Sequence, residues 1–211
     1  MKYFMSTYFY TILYFYFLFV SIESRRNLQN YIVSHEYLSE VKRDQFSVYD
    51  QSEKNLLCRM ESPPSDYLFN RLNNLIAYPS YQSIASMENL WTPSPLMYQA
   101  YMNILDDELN QWIIGKIYQR YHSGALQFRI DYRGKFYIME NKFGSLITEI
   151  RDEKKPDYVL TRFYQTSSNV MYPSSKYKIQ VYKNDLPHPI YILALYALDS
   201  ITFNKRIKLI P

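Results

Sequence analysis

The side chains able to do chemistry are few and widely spaced. Three histidines, His35, His122 and His188, lie far apart, with no H-x-x-x-H or H-E-x-x-H spacing to gather a zinc ion, so no metal or cofactor is expected. The single cysteine, Cys58, rules out an internal disulfide and any multi-cysteine metal site. Arg59 beside it would lower its pKa, but a lone cysteine ending an apolar run reads first as a small core residue. Asp106 and Asp107 fall in an expected turn with no second carboxylate motif to partner them, which makes them solvated turn residues rather than an acid and its base. Four glycines are too few for a phosphate-cradling loop. With nucleophile, acid–base pair and cofactor motif all missing, the expectation is a non-enzymatic binding protein.

The charge available for binding sits in two sets. Arg129, Arg133, Lys135 and Lys142 surround one expected hairpin, while Lys176, Lys178 and Lys183 line the last expected strand; a closed sheet is expected to let the sets approach each other. Lys and Arg alternating along a strand also describe an ordinary solvated face. The net charge of +4 is spread among interleaved acidic residues, so no block announces nucleic acid.

The elements that must hold these residues follow from patterning. With 24 Tyr and 12 Phe the composition favours strands with packed aromatic faces over a disordered chain. Residues 1–24 are set apart: the uncharged run Tyr3–Ile22 has a signal-peptide-like apolar centre and is also long enough to span a bilayer, so it reads as a signal peptide or a membrane anchor. Residues 25–30 form a linker, and 31–211 one domain.

Within that domain strand-like runs come at close intervals: Tyr31–His35, Gln45–Tyr49, Asn55–Met60, Tyr67–Leu72, Leu75–Ala77, Gln82–Met87, Tyr98–Leu105, Trp112–Tyr118, Ala125–Tyr132, Lys135–Met139, Ser145–Arg151, Tyr158–Phe163 and Lys176–Val181. Asn73 and Asn74 read as a turn, and Pro93, Pro95 and Thr166–Ser175 as loops. A hairpin with an acidic turn recurs in Phe46–Met60, Tyr101–Tyr118, Leu126–Lys142 and Leu146–Tyr164.

Single hairpins are marginal, so such a stack must close to bury its inner face. The run Pro189–Phe203 (PIYILALYALDSITF) supplies what it closes on. Its apolar residues fall on every helical face, Pro189 suits the first turn, and Lys205 and Arg206 suit the other end. Asp199 interrupts it and is expected at the helix end near the barrel mouth, because burial without a base or amides to meet it is costly. The fold class is therefore mainly β: a closed antiparallel barrel of roughly a dozen strands around a central hydrophobic C-terminal helix.

The leading YIVSHEYLS segment, the Asp-containing hairpin turns and the final helix ending ALYALDSI resemble the tubby C-terminal-like superfamily. The chain is most similar to its LURP-one-related group and also resembles the phospholipid scramblases, over about Tyr31–Phe203. The resemblance implies a twelve-stranded barrel threaded by its C-terminal helix, and a site for anionic lipid headgroups on basic surface residues. Arg129, Arg133, Lys135, Lys142, Lys176, Lys178 and Lys183 are its candidates. The partner expected is thus an anionic membrane lipid, with no nucleic acid, for a secreted or membrane-anchored protein of the secretory pathway. Two alternatives are a protein-interaction scaffold and a scramblase-like activity.

Overall fold

A computed structural model describes residues 29–36, 45–61, 72–90, 97–106, 109–169 and 174–207. Twelve strands form one closed antiparallel barrel: β1 (Gln29–Glu36), β2 (Gln45–Tyr49), β3 (Leu56–Glu61), β4 (Leu72–Ala77), β5 (Gln82–Leu90), β6 (Gln99–Asp106), β7 (Gln111–Arg120), β8 (Ala125–Tyr132), β9 (Lys135–Lys142), β10 (Ile147–Asp152), β11 (Val159–Asn169) and β12 (Ser174–Val181). Each pairs with its sequence neighbours, and β1 pairs with β12 to close the ring, Val33 facing Tyr177. Among the described strands no edge is left open, which removes the usual hazard of unpaired backbone.

Alternation sends one side chain of each pair inward. In β8, Leu126, Phe128, Ile130 and Tyr132 are buried while Gln127, Arg129 and Asp131 stay half-exposed, as their period of two requires. The helix α1 (His188–Ile207) fills the interior. Every residue from Ile190 to Asp199 is buried, and ten consecutive buried positions cover all faces of a helix. Its wall is the set of inward residues of the strands, among them Val48, Leu75, Met87, Met102, Ile117, Met139, Ile150 and Ile179. The helix outruns the expected Pro189–Phe203 at its C-terminal end, reaching Ile207.

Several expectations need correction. Asn73 and Asn74 are no turn but lie inside β4, paired with Met87 and Ser86. Asn73 points inward, fully buried, and its Oδ1 accepts from the Tyr196 hydroxyl of α1 at 3.4 Å, so a contact with the helix overrides the turn preference of asparagine. The turn falls later, at Tyr78–Tyr81, where the Tyr78–Pro79 peptide is cis and Tyr81 has φ of 57°. Most of Thr166–Ser175 is strand, with Ser168 facing Ser175 beyond a bulge between Gln165 and Ser167. β1 begins at Gln29, inside the expected linker. The expected run Tyr67–Leu72 lies, apart from Leu72, outside the described residues, as do Pro93 and Pro95.

Among the described residues no helix is long and apolar enough to cross a membrane. The expected signal or anchor, 1–24, lies outside them.

Candidate functional site

The strands bring one candidate cluster together at the end of the barrel where α1 begins. An open-mouthed cleft of about 560 Å³ there is bounded by Tyr31 of β1, Asp106 of β6, Tyr132, Arg133 and Lys135 of the β8–β9 hairpin, and Asn184, Asp185 and His188 around the helix start. Tyr132 and Lys135 are joined by a two-residue turn, Arg133–Gly134, with positive φ at both positions (51° and 69°). That geometry matches the twist of the flanking strands and sets Arg133 at the rim. Gly134 takes its φ without strain.

Arg133 donates to Asp106 through a short contact, and Asp106 also accepts from the backbone N–H of Leu109 at 2.9 Å. Asp106 is 7% exposed, so the expected solvated turn residue is instead a buried carboxylate that closes β6 and fixes Arg133. Asp107 lies outside the described residues. Arg133 keeps four further N–H donors and much of its surface in the open.

His188 opens the helix. Its Nδ1 meets the Tyr31 hydroxyl and its Nε2 lies 3.2 Å from Asn184 Oδ1. One neutral tautomer serves both: Tyr31 O–H donates to Nδ1, and Nε2–H donates to Asn184. Desolvation lowers the His188 pKa, which favours that neutral ring. Burial raises the Tyr31 hydroxyl above its ordinary value, with the Cys58 side chain adding to the shift.

Tyr132 is 3% exposed, lines the cleft, and its hydroxyl has no hydrogen-bond partner. A buried O–H left unpaired costs about 1–3 kcal/mol, so the site carries an unused donor. Desolvation raises its pKa, with Arg133 opposing and Asp106 adding. The hydroxyl therefore stays protonated at neutral pH, able to donate. The first turn of α1 carries no acidic residue, which leaves the positive end of its dipole unneutralised on its own element.

Of the expected binding residues, the structure brings together Arg133 and Lys135, and places Lys183 at the same end of the barrel, its Nζ 5.4 Å from the Tyr158 ring centre. The others are elsewhere. Arg129 stands over the Phe136 ring at 3.8 Å and donates to Glu153 at 2.8 Å and Tyr118 at 3.2 Å, while its buried Nε has no partner among the described residues. Lys142 ends β9 at the opposite end from Lys135. Lys176 pairs with Glu53 at 2.5 Å, and Lys178 faces outward on β12. The two sets do not adjoin along the wall, because β10 and β11 separate β9 from β12.

The remaining reactive groups are accounted for by packing. Cys58 points inward and is 4% exposed, and desolvation pushes its thiol up to about 12; Arg59, on the opposite face, donates to Ser47 at 3.1 Å and does not lower it. Asp199, expected near the barrel mouth, is buried and met by His35 and by the Tyr177 hydroxyl. His122 is exposed in the β7–β8 turn. Among the described residues no group of three or more His, Cys, Asp or Glu is placed to hold a metal ion.

Sequence reading missed Tyr31, Tyr132 and His188 as cleft residues. The inward phase of Tyr132 in β8 was legible, but its lack of a partner is a property of the assembled interior. No family model, curated protein or solved structure matches this chain, so its own residues carry the functional reading.

Proposed function

We propose that this protein is a non-enzymatic, membrane-associated binding module that holds an anionic lipid headgroup in the cleft at the start of α1, and that its barrel is of the tubby C-terminal-like, LURP-one-related kind. The family reading rests on a twelve-stranded antiparallel barrel filled by a C-terminal helix. The headgroup reading rests on one observation: the unpartnered Tyr132 hydroxyl opens on the same cleft as Arg133, Lys135 and the N-terminus of a long helix.

These groups suit a phosphate. An anion at a helix N-terminus gains from the dipole, Arg133 has spare donors in a planar fork, Lys135 adds a mobile charge, and Tyr132 donates from the floor. The cleft's two carboxylates are engaged, Asp106 by Arg133 and Asp185 by the Tyr158 hydroxyl. A headgroup site in this place differs from one on the wall of β12, and the difference is measurable.

Thermal unfolding of the full chain with added glycerol phosphate, at low and high salt, tests it. The expected result is a rise in Tm that shrinks as salt increases, vanishes in Arg133→Gln/Lys135→Gln and persists in Lys176→Gln/Lys178→Gln. A Tm unmoved by glycerol phosphate, or equal responses in both double variants, would overturn the reading.

A further inference from the structure

A second cavity, of about 250 Å³, opens near the other end of the barrel, where α1 runs out. It is bounded by Asn141, Ser145 and Leu146 around the β9–β10 turn, Phe163 and Gln165 of β11, and Leu198 of the helix, together with Gly144, Thr148, Tyr177 and Thr202. Unlike the first cleft it is lined, among the described residues, by no charged side chain.

Most of its polar side chains have partners. Asn141 Nδ2 lies 3.1 Å from the carbonyls of Ser145 and Ile147 and 3.0 Å from Thr148 Oγ1. Ser145 Oγ donates to the Ile147 carbonyl at 3.1 Å, Thr202 Oγ1 to the Asp199 carbonyl at 3.0 Å, and the Tyr177 hydroxyl to Asp199. The exception is Gln165, whose buried Nε2 has no partner. Gln165 shares the inward phase of Phe163 on β11 and sits where a bulge interrupts the pairing with β12. Bulges re-aim side chains, and this one leaves an amide donor among the residues that line the cavity.

We infer that this cavity is a binding site for a neutral molecule carrying one carbonyl acceptor on an apolar body, an amide or ester with a short tail. An ion is disfavoured because none of the described lining groups carries a compensating charge. A wholly apolar ligand would leave the Gln165 donor unpaired. An amide or ester carbonyl pairs with Nε2, while its tail lies against Phe163 and Leu198 and reaches a rim of exposed apolar side chains, Phe143, Leu146 and Ile147. This site stands independently of the first cleft, since it shares none of that cleft's residues.

The test is ligand-observed NMR titration of the full chain with N-butylacetamide, alongside the butylammonium ion as a charged probe of equal tail length. Saturable binding of the amide and not of the cation is expected. Gln165→Leu, which keeps the side chain's bulk and removes the donor, should weaken the amide about tenfold. Leu146→Ser should weaken it by shortening the apolar rim, and Arg133→Gln/Lys135→Gln should leave it unchanged. No saturable binding to the unmodified chain would overturn the site. Unaltered affinity in Gln165→Leu would overturn the donor's role and leave Gln165 as a residue served by water alone.

Discussion

His35 of β1 and Asp199 of α1 stand 164 residues apart in sequence and share a hydrogen bond inside the barrel, each only 1% exposed. Tyr177 of β12 donates to the other carboxylate oxygen, so Asp199 is the point at which the helix is fastened to the two strands that close the ring. His35 is itself packed edge-on against Phe46, with ring centres 5.2 Å apart, and lies against Tyr196. Removing one member of a buried polar set strands the others. Asp199→Ala is therefore expected to cost about 3 kcal/mol or more, read from urea unfolding. A double-mutant cycle with His35→Ala should show strong non-additivity; additive losses would mean that the contact carries no coupling.

Leu195 lies fully buried at the middle of the all-face-covered stretch of α1. Leu195→Asp places a carboxylate where the surrounding side chains are apolar. The cost should exceed about 4 kcal/mol, enough to abolish the barrel's cooperative thermal transition in circular dichroism. A soluble variant with a normal transition would show that the helix is dispensable to the barrel.

Gly115 of β7 lies under Tyr132 and Met102: a Cβ there would meet the Asp131 carbonyl at 3.1 Å and both side chains at 3.3 Å. Gly115→Val must push these neighbours aside, at about 1–3 kcal/mol. Because Tyr132 lines the cleft proposed to bind an anion, the same change should weaken the glycerol phosphate response beyond what the lost stability explains. The comparison is the ligand-induced Tm shift against the ligand-free Tm.

The lowered pKa of His188 makes stability depend on pH in a defined direction. In the unfolded chain the ring titrates near 6.5, and in the folded one it resists protonation to a lower pH, so between those values the unfolded state binds more protons. The contribution is fully present above about pH 6.5 and is lost as pH falls through that window, levelling off below the folded-state value. Urea midpoints of the unmodified chain and His188→Gln should thus diverge on going from acid to neutral pH, with Tyr31, Asn184, Asp185, Arg133 and Lys135 unchanged around the site. Parallel curves would rule the ring out as the titrating group.

Burial and a thiol pKa near 12 make Cys58 inert while the barrel is closed. A thiol reagent should label it at the rate of unfolding, rising steeply with added urea. Fast labelling without denaturant would contradict its place in the core.

The barrel was legible in the chain because period-two alternation and an all-round apolar helix are local patterns, set by side chains a few residues apart. The same locality explains the failures. Asn73 and Asn74 look like a turn to any short window, yet Asn73 is held in β4 by Tyr196, 123 residues away. The acidic turn at Asp106 looked solvated until Arg133, from another hairpin, closed over it. For the proposed headgroup site, sequence supplied the basic residues but not their grouping. Strand order decided that Arg133 and Lys135 meet the helix start while Lys142 stands at the opposite end and Lys176 is spent on Glu53. The unpaired donors among the described residues, Arg129 Nε, Tyr132 Oη and Gln165 Nε2, are properties of the assembled interior alone, since whether a polar group finds a partner depends on everything that packs around it.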